Sequence, residues 1–245
     1  LLYGLVLVLS YGLLLQGCGI GMLYLTIFAA ARLYQLMPYG FSFGIMVCLV
    51  ILSGILAVLQ DARYLALLGI VGGFLAPVLM STGSGSHVVL FSYYALLNIG
   101  IAGIAWYKAW RELNLVGFIF TFGIASLWGG RYYQPHYFST SEPFLIFFFL
   151  CYVFIAVLFA SRQPVNLKGY VDGTLVFGLP IVTFGLQYGL VRDLPYGMAI
   201  SALALGVFYI LLATIISRRK AETYRLLAEA FLAFGVVFGS LAIPL

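Results

Sequence analysis

Residues 143–160 read PFLIFFFLCYVFIAVLFA, eighteen consecutive positions without a charged side chain. A helix that crosses a membrane needs about 20 mostly apolar residues, because the hydrocarbon core is about 30 Å thick and each residue adds about 1.5 Å. A membrane-spanning β-strand would instead alternate apolar and polar side chains over about ten positions. The run from Phe144 to Leu150 has no such alternation, so it predicts a membrane helix and excludes a barrel.

Comparable apolar stretches fill most of the 245 residues. Hydrophobic residues make up 64% of the chain and charged residues 8%, with a mean hydropathy of +1.13, whereas a soluble domain is about 45–50% apolar and about 25% charged. The pattern predicts an all-α fold, a polytopic transmembrane helical bundle of about ten spans that forms one region, residues 1–245. The ten apolar segments are Leu1–Leu15, Gly19–Ala31, Tyr39–Leu59, Tyr64–Met80, Val88–Trp106, Leu113–Trp128, Pro143–Ala160, Thr174–Val191, Met198–Ile216 and Leu226–Leu245.

The chain starts inside an apolar run, with neither an initiator Met nor a basic stretch, and we interpret it as an internal fragment of a longer protein. Its net charge of +5 does not indicate nucleic-acid binding, because the basic residues lie between apolar runs, where they meet lipid headgroups. The three cysteines, Cys18, Cys48 and Cys151, have no C-x-x-C spacing and no histidine at ligand spacing. We therefore expect no disulfide, no metal site and no cofactor.

Lysine and arginine are distributed unequally between alternate hinges, and such residues stay on the cytoplasmic side of membrane helices. We therefore expect the hinges at Ser81–His87, at residues 129–142 and at residues 192–197 to face outward. The hinges assigned to the cytoplasm hold Arg63, Lys108, Arg111, Arg162, Lys168, Arg218, Arg219, Lys220 and Arg225, whereas the outer hinges hold only Arg32, Arg131 and Arg192.

The outer hinge Ser81–His87, STGSGSH, is a candidate anion site. Ser84 or Ser86 could cap the helix that follows, whose free backbone N–H groups and positive dipole end suit an anion, with His87 beside them. The ending of a phosphate-binding P-loop is absent. The alternative is a flexible turn with a capping serine.

A second outer hinge, RYYQPHYFSTSE at residues 131–142, concentrates cationic, aromatic and hydroxyl groups. Arg131 could clamp a phosphate or sugar, with Tyr132, Tyr133 and His136 forming the wall of the site. The alternative is an interfacial aromatic belt in which the prolines mark a turn and a helix start. The sequence leaves both interpretations open.

Polar residues inside apolar runs are the remaining candidates. Glu229 is a candidate for proton coupling, because acids within membrane helices are rare and functional. Arg225 precedes it by one helical turn, so a structural ion pair is the alternative. Pro77 removes a backbone donor inside a helix and is expected to kink it. Asn98, Gln187 and Tyr188 are expected to be hydrogen-bond partners between helices rather than ligands of a substrate.

Several motifs together resemble one family, the large bacterial polytopic membrane proteins grouped as domain-of-unknown-function family 2339. The resemblance spans nearly the whole chain and implies a longer protein with many more helices. It implies no reaction and no catalytic residues. The motifs are GGFLAP at 72–77, STGSGSH at 81–87, FSYYALLN at 91–98, RYY at 131–133, EPF at 142–144, LKGYVDGT at 167–174 and LLAEAF at 226–231.

We expect a multi-pass protein of the bacterial inner (cytoplasmic) membrane whose partners are membrane lipids. The leading hypothesis is handling or translocation of an anionic envelope lipid or glycan. The alternatives are a membrane-embedded transferase acting on such a molecule, for which the catalytic residues are unknown, and a non-catalytic scaffold. A polar cavity at mid-membrane would favour transport. Polar groups gathered at the outer surface would favour an enzyme, and a bundle without a cavity would favour a scaffold.

Overall fold

The computed structural model describes residues 2–80, 86–108, 110–162, 173–218 and 222–245. Within those residues the chain forms nine long helices and no strand, which confirms the predicted all-α bundle. A π-helical turn, Ala29–Leu33, prolongs α1, and another, Thr174–Gly178, leads into α7. The helices are α1 (Leu2–Phe28), α2 (Tyr39–Leu59), α3 (Arg63–Met80), α4 (His87–Tyr107), α5 (Arg111–Tyr132), α6 (Phe138–Arg162), α7 (Leu179–Val191), α8 (Gly197–Ser217) and α9 (Glu222–Leu241).

Eight helical segments in this part of the chain are long and apolar enough to cross a membrane, and α3 is a shorter apolar helix. The prediction of about ten spans is slightly too high, because the first two predicted segments form one helix. Gln16 and the glycines at 17, 19 and 21 do not interrupt it, since glycine costs only about 1 kcal/mol in a helix interior and is common in membrane helices. With 18 residues, α3 is about 27 Å long and still approaches the thickness of the hydrocarbon core.

The chain divides into two compact units, Leu1–Gly117 and Phe118–Leu245, and the boundary lies within α5. In the first unit, α3 has a row of glycines that lets neighbouring helices approach closely. A methyl group on Gly72 would meet the Tyr24 ring of α1 at 2.9 Å, and one on Gly73 would meet Val50 of α2 at 2.8 Å. These glycines are therefore packing positions within the unit.

Pro77 lies inside α3, which continues to Met80. Because proline has no N–H, the carbonyl of Gly73, one turn earlier, loses its helical donor. The Tyr93 hydroxyl of α4 donates a hydrogen bond to this carbonyl at 2.8 Å, and the neighbouring Tyr94 hydroxyl donates to the carbonyl of Phe74 at 3.1 Å. Both tyrosines are buried. The carbonyl that Pro77 leaves without a helical donor is thus satisfied by the adjacent helix, as the absence of water in a membrane interior requires.

In the second unit, α8 and α9 form a close antiparallel pair around glycines. A methyl group on Gly206 of α8 would meet the backbone nitrogen of Gly239 at 2.9 Å, and one on Gly235 would meet the Ile210 side chain of α8. Six G-x-x-x-G pairs occur in the chain, and the glycines of two of them, 69/73 and 235/239, make close contacts of this kind within a unit. Gly40, Gly44, Gly185 and Gly189 have open space at the Cβ position.

Polar contacts join hinges that were predicted to share a side of the membrane. In the first unit, Lys108 after α4 lies 2.8 Å from Asp61 in the α2–α3 turn. In the second unit, the Tyr133 hydroxyl of the α5–α6 link donates to the carbonyl of Leu190 at the end of α7 at 2.9 Å. Each contact joins two hinges that are separated by two helices, which is consistent with helices that alternate in direction.

We expect Tyr93→Phe to lower the free energy of unfolding by about 1 kcal/mol or more, because it leaves the Gly73 carbonyl without a donor. Adding Pro77→Ala restores a backbone N–H, so the cost of Tyr93→Phe should shrink on that background. Tyr94→Phe is the matched control, since the carbonyl of Phe74 keeps its own helical donor. Unfolding measured in lipid–detergent micelles tests this cycle, and equal costs of Tyr93→Phe with and without Pro77 would contradict it.

The orientation is tested with single cysteines at Gln60 and Gln134 on a background in which Cys18, Cys48 and Cys151 are replaced. An impermeant thiol reagent should label position 134 in intact spheroplasts and position 60 only after permeabilisation, because the charge asymmetry predicts a cytoplasmic α2–α3 turn. The reverse labelling pattern would invert the orientation.

Candidate functional site

A polar network joins three helices of the second unit. Gln187 of α7 donates from Nε2 to Glu142 Oε1 of α6 at 2.8 Å and lies 3.2 Å from Ser201 Oγ of α8. Ser201 in turn donates to the carbonyl of Gly197 at 2.7 Å. The expectation that Gln187 bonds between helices is confirmed. For Asn98, the Nδ2 atom donates within its own helix, to the carbonyl of Tyr94 at 2.8 Å.

Tyr133 lies beside this network in the α5–α6 link. Burial raises the pKa of its hydroxyl above the usual range; the negative charges of Asp193 and Glu142 raise it further, and Arg192 acts in the opposite direction. The hydroxyl therefore keeps its proton at neutral pH and remains a donor to the carbonyl of Leu190. The Trp128 ring packs edge-on against the Tyr133 ring at 6.3 Å between centroids.

The remaining predicted residues of this hinge lie on the surface of the unit. Arg131 and Tyr132 are exposed in the last turn of α5. His136 is exposed and packs on Tyr137, with the ring centroids 3.8 Å apart. Of the predicted residues in this hinge, only Tyr133 is linked to the polar network, so Arg131 as an anion clamp stays a prediction.

The first outer hinge is described only from Ser86 onward, and Ser84 lies outside the described residues. Ser86 occupies the N-cap position of α4, where its carbonyl accepts from the N–H of Leu90 at 3.2 Å, but its side chain makes no capping hydrogen bond. The His87 ring packs edge-on against Phe91 at 6.4 Å. His87 belongs to the first unit and Arg131 to the second, so a shared anion site stays a prediction.

Glu142 differs from the other acidic residues in its environment. Four of the five carboxylates whose side chains are described lie within 4 Å of a Lys or Arg nitrogen, whereas Glu142 has no such partner in the described part of the chain and accepts from the neutral Gln187 amide. The four pairs are Asp61–Lys108 at 2.8 Å, Glu112–Arg63 at 3.6 Å, Asp193–Arg192 at 3.7 Å and Glu229–Arg225 at 2.9 Å.

Sequence reasoning placed Glu142 at the end of a hinge, and the structure corrects this position. Pro143 does not start α6, because the helix begins at Phe138 and is preceded by a short 3-10 turn that starts at Pro135. Pro135 is the proline at a helical first position. Glu142 therefore lies within the candidate membrane span Pro135–Ala160, as Glu112 and Glu229 lie within theirs. The proline at 135 is the sequence signal that indicates this helix start.

An apolar groove of about 380 Å³ lies between α2, α3 and α4 in the first unit. Its one serine, Ser53, donates to the carbonyl of Val50 at 2.8 Å and so presents no free hydrogen to a ligand. Gly100 and Gly103 of α4 line the groove with open space where a side chain would stand. The groove is lined by Val47, Val50, Ile51, Ser53, Gly54, Ile55, Val58, Leu59, Ala66, Ile70, Leu96, Leu97, Gly100, Gly103, Ile104 and Tyr107.

The groove ends at a cluster of charges. Leu59 and Tyr107, two of its lining residues, are near neighbours in sequence of the Asp61–Lys108 pair. Arg63 adds an ion pair with Glu112 at 3.6 Å and lies over the Tyr64 ring at 4.9 Å. An apolar groove that ends at charged side chains is complementary to an amphiphile, whose tail would lie in the groove and whose headgroup would meet the charges. Among the described residues, no group of three His, Cys, Asp or Glu side chains is placed to hold a metal ion.

We expect Glu229→Gln to change the free energy of unfolding by less than about 1 kcal/mol. Glu229 and Arg225 pair one helical turn apart at 2.9 Å, but both side chains are more than half exposed, and exposed pairs of this kind contribute little. Thermal unfolding of the variant and of the wild type tests this. Loss of function with normal abundance and an unchanged unfolding temperature would make Glu229 a proton carrier.

Residues 7–245 match the family model described as "Predicted membrane protein (DUF2339)". No curated protein and no solved structure matches the chain significantly.

Proposed function

We propose that this chain, which belongs to the DUF2339 family of membrane proteins, handles an anionic envelope lipid in the inner membrane of a bacterium. The observation that carries the proposal is the apolar groove between α2, α3 and α4, which ends at the Asp61–Lys108 pair. Its volume of about 380 Å³ lies within the range of small-molecule sites, about 300–1,000 Å³.

The lining of the groove fits a hydrocarbon chain. Apart from the serine whose hydroxyl is already engaged, the groove offers aliphatic side chains, glycines and one tyrosine. Ile55 and Leu96 are exposed at its edge, so in a membrane this edge faces lipid tails. An acyl or prenyl chain would enter laterally without leaving an apolar environment.

The charged end of the groove favours a negative headgroup. At this end Arg63 and Lys108 pair with Glu112 and Asp61 through side chains that are partly exposed, so an anionic headgroup can reach either cation. Basic residues at a membrane surface attract anionic lipids by about 1 kcal/mol each. Translocation would add a second headgroup contact at the opposite side, for which the predicted residues are Ser84, Ser86, His87, Arg131, Tyr132, Tyr133 and His136.

Gly103→Leu should reduce lipid binding, because the new side chain would fill open space in the groove. A phosphatidylglycerol with a photoactivatable acyl chain is the probe, and crosslinked peptides of α2 and α4 are quantified by mass spectrometry. We expect crosslinking to fall about tenfold, as for a bound chain losing on the order of 1.4 kcal/mol of burial. Gly123→Leu on α5, which also has open space, is the matched control.

Two results would contradict the proposal. Crosslinks spread evenly over all lipid-facing helices would show that the groove is not a preferred site. Equal crosslinking in Gly103→Leu and Gly123→Leu would show that filling the groove has no consequence. Lys108→Ala distinguishes the contribution of the headgroup from that of the acyl chain. It should weaken the preference for phosphatidylglycerol over phosphatidylcholine, while crosslinking by phosphatidylcholine persists.

A second candidate function is a membrane-embedded transferase, favoured by the Glu142–Gln187–Ser201 network on the predicted outer side. Such an enzyme would need a base close to an acceptor hydroxyl, and Glu142 is a carboxylate that has no cationic partner among the described residues. Covalent modification of a lipid by the purified protein would favour this function, whereas chemically unchanged bound lipid favours handling.

A further inference from the structure

We propose that Glu142 and Gln187 form a second lipid site, which binds the primary ammonium group of an amine-bearing lipid headgroup. This site is separate from the groove, because Glu142 and Gln187 lie in the second unit and the groove in the first. The ligand proposed for this site presents a positively charged group, whereas the headgroup proposed for the groove is anionic. The proposal therefore stands independently of the function assigned to the groove.

The first argument is the unused acceptor capacity of Glu142. An ionised carboxylate offers about four lone-pair sites, and the single amide bond from Gln187 occupies one of them. Glu142 is half-buried, so the remaining sites are only partly accessible to water. A ligand with several N–H donors would occupy these remaining acceptor sites.

The second argument is the local charge. Glu142, Asp193 and Arg192 all lie close enough to Tyr133 to act on its hydroxyl. Asp193 is already neutralised by Arg192 at 3.7 Å. Glu142 is therefore the acid of this group that has no cationic partner in the described part of the chain, and the complementary ligand is a cation rather than an anion.

The third argument is depth. Glu142 is four residues after the start of α6 at Phe138, about 6 Å along the helix axis. The headgroup layer on each side of the hydrocarbon core is about 5–8 Å thick. The carboxylate therefore lies near the boundary between headgroups and tails, where the amine of a lipid can reach it. Trp128 and Tyr133 supply aromatic surface nearby, which also attracts cations.

The chemistry distinguishes between two common zwitterionic headgroups, which differ in their cationic group. A primary ammonium has three N–H donors, which can bond to both Glu142 oxygens and to a neighbouring carbonyl or hydroxyl. A trimethylammonium carries the same charge but has no N–H donor. The site should therefore prefer phosphatidylethanolamine to phosphatidylcholine, and both to a headgroup without an amine.

The experiment reconstitutes the full chain in phosphatidylglycerol vesicles containing equal amounts of phosphatidylethanolamine and phosphatidylcholine. Lipids that remain bound after mild extraction are counted per protein by native mass spectrometry. Wild-type protein should retain phosphatidylethanolamine in preference to phosphatidylcholine. Glu142→Gln should reduce that retention about tenfold or more, because the charge-assisted hydrogen bonds are lost.

Glu229→Gln is the matched control, since it makes the same chemical change at a carboxylate that already has a cation. Retention of phosphatidylglycerol should not change in Glu142→Gln, which separates this site from the groove. Equal retention of the two zwitterionic lipids by the wild type would overturn the proposal even if Glu142→Gln failed to accumulate. Lipid retention that changes with pH but is the same for both headgroups would also overturn the proposal and would indicate that Glu142 binds a proton instead.

Discussion

The backbone carbonyl of Gly73 sets a constraint on which the packing of the first unit depends. Pro77 removes its helical donor in a region where no water can replace it. The Tyr93 hydroxyl of α4 supplies the donor at 2.8 Å, which fixes the distance and rotation of α4 against α3. The glycines of α3 then allow α1 and α2 to approach the same helix. One missing N–H is thereby compensated by a contact between helices.

In the second unit, polar groups likewise find hydrogen-bond partners on neighbouring helices. Gln187 has two hydrogen-bond partners, on α6 and α8, and the Tyr133 hydroxyl closes the α5–α6 link on the end of α7. Among the carboxylates with described side chains, all except Glu142 have a cationic partner. Because an uncompensated buried charge is unfavourable, such an exception is more informative about binding than the exposed ion pairs are.

Membership of the DUF2339 family assigns the chain to a class of membrane proteins and leaves its chemistry to the site. By the criteria set from the sequence, the groove does not fit a polar channel at mid-membrane, because its lining is apolar. It does fit a lipid tail. The two proposed lipid sites differ in the headgroup proposed for each, anionic at the groove and amine-bearing at Glu142, which makes them separable by the lipid they retain.

The sequence by itself determined the all-α membrane class, most helix positions and the Arg225–Glu229 pair, because hydropathy and the 3.6-residue period are local properties. The sequence pattern predicted two segments where the structure has the single helix α1, because a cluster of glycines in a sequence resembles a break between helices. It also named Glu229 rather than Glu142 as the unusual acid. Only the tertiary structure identified Glu142, because the absence of a cationic partner depends on residues that are distant in sequence and meet when the helices pack.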